Sequence, residues 1–250
     1  MKVKLQISVL LLTVIAASAQ QALATASTHI WAPSTDVQAF GLWHITSDIY
    51  LPVKNDAAGN RLPAVTNIGL TVGVLPFKKL NAEIGFDHKS GFGAIDKYPM
   101  YGHAKIGIPE NAFGEAFPAL AAGIFDIGTK KNYTNYDLFY GKLAKTFKVG
   151  QTSLGRLSLG YFSGNSKLLF DNKGKKDNSG VFGAWERTLT EVSDKLWFCV
   201  EYMGTKSVYG SVNIGASWKF APNVSILGGY DIYNNSSLVN TATLQVDIDI

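Results

Sequence analysis

Residues 241–250, TATLQVDIDI, place Thr241, Thr243, Gln245, Asp247 and Asp249 in strict alternation with Ala242, Leu244, Val246, Ile248 and Ile250. Successive side chains of an extended strand point to opposite faces, so this stretch has one polar and one apolar face. This two-residue period constrains the fold more than any other feature, because it recurs while helical periodicity is scarce. Segments near 42–51, 64–74, 79–88, 100–108, 117–128, 135–147, 153–163, 180–190, 195–204, 209–220, 224–234 and 241–250 carry it. In the third, Leu80, Ala82, Ile84 and Phe86 oppose Asn81, Glu83, Gly85 and Asp87. Segments five and six alternate less regularly, and the count falls to ten if both fail as strands.

The connections also alternate. Those after odd-numbered segments, such as PVKNDAAGNRLP and GNSKLLFDNKGKKDNS, are mostly long and charged; those after even-numbered segments, such as KVGQT and APN, are mostly tight. Segment lengths lie near the ~9–11 residues of a tilted membrane strand, and short turns alternating with long loops mark a transmembrane barrel. Hydrocarbon leaves no backbone group unpaired, so such a sheet must close on itself. The expectation is therefore an all-β fold: a closed antiparallel transmembrane β-barrel of twelve strands. The Gly-x-Trp at 41–43 also occurs in soluble lipocalin-type barrels, but those have about eight strands.

Lys2 and Lys4 precede the apolar run LQISVLLLTVIAASA, and ALA at 22–24 supplies a small-residue cleavage site. This is signal-peptide grammar. The organisation expected is a signal peptide at 1–24, a periplasmic N-terminal segment at 25–40 and an outer-membrane barrel at 41–250. The formal charge of +4 then falls by two with Lys2 and Lys4, too small a balance to argue for nucleic acid. Cys199 is the single cysteine, so no internal disulfide forms.

With apolar faces outward, the lumen receives His44, Asp48, Glu83, Asp87, His103, Lys105, Glu186, Glu201, Lys219, Asp231, Asp247 and Asp249. A symmetric loop between segments three and four sets Glu83 opposite Lys105 and Gly85 opposite His103. Acids outnumber bases, which favours cations if the lumen is open. Twelve strands lie between the ~8 that side chains fill and the ~16 that leave a channel. A conducting path and a filled interior both remain open. Trp43, Trp197, Trp218, Phe220 and Tyr230, with Tyr50, Tyr101 and Tyr233, fall towards the two rims as membrane-interface girdles.

The motifs HIWAPSTDVQ, AEIGFDHK, LSLGYFSGN, VEYMG, FAPNVSILGGYDIYNN and LQVDIDI resemble small outer-membrane β-barrel proteins of Gram-negative bacteria, within a porin-like group. The chain departs from the usual terminal aromatic, ending in Ile250. The resemblance implies outer-membrane lipid, periplasmic chaperones and the barrel-assembly machinery as partners. It implies no substrate.

Covalent chemistry finds little support. The histidines are His29, His44, His88 and His103, and no H-x-H, H-E-x-x-H or G-x-S-x-G occurs. DNKGKKDNSG at 171–180 lacks the calcium-loop spacing and carries three lysines. The reading is a porin-like passive channel for small polar solutes or ions with a mild cation preference, without catalysis, metal or cofactor. The alternative is a non-conducting barrel that binds through its external loops; a lipid-active barrel enzyme or a secreted lipocalin-type binder ranks below both.

Overall fold

The computed structural model describes residues 27–91, 93–150 and 152–250. The expected signal peptide lies outside them. Twelve strands follow one another: β1 (Trp43–Pro52), β2 (Val65–Gly73), β3 (Asn81–Ser90), β4 (Met100–Ile108), β5 (Ala119–Gly128), β6 (Leu138–Val149), β7 (Thr152–Ser163), β8 (Ser179–Thr188), β9 (Leu196–Met203), β10 (Ser211–Ala221), β11 (Val224–Tyr233) and β12 (Thr241–Asp249). Each pairs antiparallel with its neighbours in sequence, and β12 pairs with β1 from His44↔Asp249 to Pro52↔Thr241. Closure continues one step further, where Trp43 and Ile250 exchange backbone hydrogen bonds of 2.9 and 2.8 Å. The barrel has no free edge, and the twelve-strand count is the one read from the alternation. The short turns and both barrel termini share one end; the longer loops share the other.

Polarity is the reverse of a soluble barrel. Ile68, Ile84, Phe86, Phe139, Leu157, Leu159 and Leu244 are exposed on the outside, whereas Glu83, Glu201, Asn213 and Asp231 are at most 1% exposed within. Each strand thus sorts its two faces by period two, and hydrocarbon outside with polar groups inside is the arrangement a membrane barrel requires. The β3–β4 hairpin has the symmetric register, Glu83↔Lys105 and Gly85↔His103.

The aromatic expectation needs correction at four positions. Trp43, Trp218, Phe220 and Tyr230 are exposed outside, but Trp197 is buried inside, on the same face as Cys199 and Glu201. Tyr101 is buried inside too, and Tyr50 and Tyr233 pack on an interior tryptophan, Trp31. An aromatic near a rim fits either face, and strand parity, not ring type, decides which.

The second correction concerns the N-terminal segment. Residues 27–38 do not form a separate periplasmic segment but lie inside the barrel, where His29, Ile30, Ala32, Ser34, Thr35 and Gln38 are at most 3% exposed, while Phe40 is 59% exposed. Their burial divides the interior. Towards β5–β9, Ala32, Leu138, Tyr140, Phe162, Phe182, Met203 and Tyr209 form an apolar cluster, joined by Leu169 from the β7–β8 loop. Ile30 joins Ala184, Trp197, Cys199 and Leu227 in another. Towards β12–β4 the interior stays polar.

Candidate functional site

The lumen is the site, and the buried segment determines its geometry. Residues 27–34 turn back on themselves: the His29 amide donates to the Ala32 carbonyl (2.9 Å), and the Ser34 amide to the Ser27 carbonyl (3.1 Å). The tip of this hairpin, Ile30–Ala32, presents three consecutive amides to the Glu201 carboxylate at 2.8–3.2 Å. Asn213 adds a side-chain donor at 2.6 Å. A carboxylate in a dry interior is tolerable only when hydrogen-bonded, and a run of backbone amides forms an anion-binding concavity. Glu201 and the tip therefore solve each other's desolvation. Gln245 Nε2 donates to the Ile30 carbonyl at 2.8 Å. The Trp31 indole sits among Tyr50, Tyr209 and Tyr233, with ring centroids 5.0–6.4 Å away.

The stem is held by charge. Lys105 donates to the Ser27 carbonyl (2.8 Å) and the Asp36 carbonyl, and pairs with Glu83 at 3.2 Å. Glu83 accepts the Gln38 amide at 2.6 Å. Lys142 donates to the Pro33 carbonyl at 2.8 Å. Arg156 pairs with Asp36 at 2.7 Å and donates to Thr35 Oγ1 at 2.6 Å. Glu186 accepts from Trp197 Nε1 at 3.0 Å and lies 3.2 Å from His29 Nε2. Glycines clear the way: a Cβ on Gly73 would stand 2.1 Å from the Ala39 carbonyl oxygen, and one on Gly215 2.9 Å from Ile30 Cδ1.

Four of the lumen residues expected from the sequence, Glu83, Lys105, Glu186 and Glu201, thus hold the hairpin. Others gather on the polar side. Asn67 donates to Asp48 (3.0 Å) and Asp87 (3.1 Å), while His103 bridges Asp87 (3.0 Å) and Thr71 (2.9 Å). His44 lies between Asp247 (3.3 Å) and Asp249 (2.9 Å). Asp231 accepts from Thr241 at 2.7 Å, and Lys219 shares an inward row with Ser225 and Asp247.

Lys142 and Arg156 were missed, although each shares its strand's inward parity. β6 and β7 also bury Leu138, Tyr140 and Phe162, so neither face looked like a polar lumen. At the long-loop end, Asp126 is paired with Lys89 at 2.5 Å and accepts the Tyr209 hydroxyl. Burial, with Asp126 beside it, holds the Tyr209 phenol well above its usual range. At the short-turn end, a cavity of ≈ 840 Å³ opens below the hairpin, lined in part by Asp36, Glu186, Ser217, Asp247 and Asp249. Among the described residues no group of three or more His, Cys, Asp or Glu is placed to hold a metal.

No protein-family model matches the chain, and no curated protein matches it. Among solved structures it is similar to an outer-membrane channel from Pseudomonas putida F1, at 11% identity over 85% of this chain and 96% of that one, with a TM-score of 0.51. The NanC porin follows at 10% identity, 82% and 98% coverage, and a TM-score of 0.48. At such identities the likeness concerns the fold alone: this chain has the closed barrel of an outer-membrane channel.

Proposed function

We propose that the protein is a porin-like channel of the outer membrane, at rest closed by its own N-terminal hairpin. The apolar exterior supports a membrane location, and the short turns and barrel termini then face the periplasm. The observation that carries the closed state is the capture of three tip amides by Glu201. Passage of small polar solutes or ions requires the hairpin to leave. Its departure exposes Glu83, Glu186 and Glu201 beside Asp48, Asp87, Asp247 and Asp249, against Lys105, Lys142, Arg156 and Lys219. That excess of carboxylates supports a mild cation preference. The reading assigns no covalent chemistry.

Planar-bilayer recordings across a salt gradient test it. The intact protein is expected to stay mostly closed, and a variant lacking residues 27–40 to give discrete steps with a cation-selective reversal potential. Steady conductance of the intact protein, unchanged by the deletion, would refute the closed-state reading.

A further inference from the structure

The cavity at the short-turn end contains charge that the hairpin does not use. Asp247 lines it and is 3% exposed, yet neither carboxylate oxygen accepts a hydrogen bond. The cation within ion-pair distance is His44, whose Nε2 lies 3.3 Å from Oδ1, while Lys219 lines the same cavity one strand further on, across Ser225. That imidazole already binds Asp249 through Nδ1 at 2.9 Å. A protonated imidazole carries one positive charge and faces two carboxylates, so the pair has one cation at ion-pair distance for two acids. Among the described residues no lysine or arginine reaches ion-pair distance of Asp247; Arg156 pairs with Asp36 and Glu186, and also with Glu110.

A second orphan faces the same space. Ser217 lines the cavity from β10, is 2% exposed, and its hydroxyl has no partner. Buried polar groups left without partners in a native interior mark a missing partner. The described donors do not close into a metal cage. The ≈ 840 Å³ cavity instead has the size of a small-molecule site.

We propose that this cavity binds the ammonium group of a small organic cation, with Asp247 as counter-charge, Asp249 as the second carboxylate and Ser217 as a further acceptor. The site goes beyond the channel reading, since it binds whether or not the barrel conducts. An ammonium group would supply Asp247 and Asp249 with a second cation at ion-pair distance.

The test uses the full protein folded in detergent micelles, with methylammonium chloride titrated against sodium chloride at constant ionic strength. Saturation-transfer NMR on the methyl protons reads binding, and thermal unfolding reads its effect on stability. Native protein should give a saturable signal, and acetate none. Asp247→Asn should weaken binding about tenfold or more, as truncating one member of a buried charge pair does. It should also raise the melting temperature in the absence of methylammonium, because it leaves one carboxylate for the His44 imidazole instead of two. Ser217→Ala should weaken binding a few-fold, and it decides the question if Asp247→Asn does not fold. Absence of saturable binding to the native protein, or binding unaltered by both substitutions, overturns the proposal.

Discussion

Replacing Glu201 by alanine is the perturbation that most directly tests how the hairpin is held. It removes the acceptor of the Ile30, Trp31 and Ala32 amides without touching the stem contacts of Lys105, Lys142 and Arg156. A hydrogen bond to a charged group contributes about 1.5–3 kcal/mol, and an orphaned buried donor costs about 1–3 kcal/mol. Three such donors share one carboxylate with the Asn213 side-chain amide, and bonds that act as a unit are not additive, so the loss at the tip is about 3–4 kcal/mol. At about 1.4 kcal/mol per factor of ten, the tip should open a hundred- to a thousand-fold more often. Amide hydrogen exchange measures this directly. Protection at Ile30–Ala32 should fall by that factor, while the amides of β9 and β10 keep theirs and the barrel keeps its heat-modifiable migration. Unchanged protection at the tip, in a folded barrel, would refute the argument that Glu201 holds the hairpin down.

Gly73→Ala should dislodge the exit of the same segment, because its Cβ would stand 2.1 and 2.3 Å from two backbone oxygens that have little room to move; a cost of about 1–3 kcal/mol is expected, read as a lower barrel melting temperature and a raised open fraction in bilayer recordings. Brominated lipids should quench Trp43 and Trp218, which are 44% and 40% exposed outside, and Trp185 on the outward face of β8, and leave Trp197, at 6%, untouched; loss of the brominated-lipid effect in Trp43→Phe/Trp185→Phe/Trp218→Phe protein, and its persistence in Trp197→Phe protein, checks the assignment. Glu110 anchors the turn after β4: burial pushes its carboxyl up, but the Thr146 amide and hydroxyl and the Lys145 ammonium bring the balance below the usual range. A carboxyl lowered on folding contributes stability above its unfolded value, near 4.5, and loses it as pH falls through the folded value. Exchange protection in residues 109–118 should therefore drop below about pH 4.5 in the native protein and be nearly pH-independent there in Glu110→Gln.

Much of the barrel was legible because period two is a local property. The segment read as 100–108 is Met100–Ile108, and that read as 224–234 is Val224–Tyr233. Even the less regular segments five and six form Ala119–Gly128 and Leu138–Val149. The Glu83–Lys105 pairing followed from hairpin symmetry. Trp197 illustrates the limit. Its parity with Cys199 and Glu201 was readable, but its ring also suits a membrane rim; the inward position is made favourable by the Glu186 carboxylate beside its indole N–H and by packing on Ile30, Ala184 and Leu227. Lys142 and Arg156 stayed hidden for a related reason: their strands bury apolar side chains on the lumen side, against a partner that lies more than a hundred residues earlier.

Sequence alone determined the architecture. Alternation sets which residues share a face, loop lengths set which ends share a side, and the need to pair every backbone group in hydrocarbon closes the sheet. Tertiary structure alone decided what the enclosed space contains. THIWAPSTDVQ has no strand period and offers mainly backbone amides and carbonyls, which look the same in every sequence. Their value depends on Glu201, Gln245, Lys105 and Lys142 converging from four distant strands in a dry interior, where an unpaired charge is costly and a row of amides becomes its best partner.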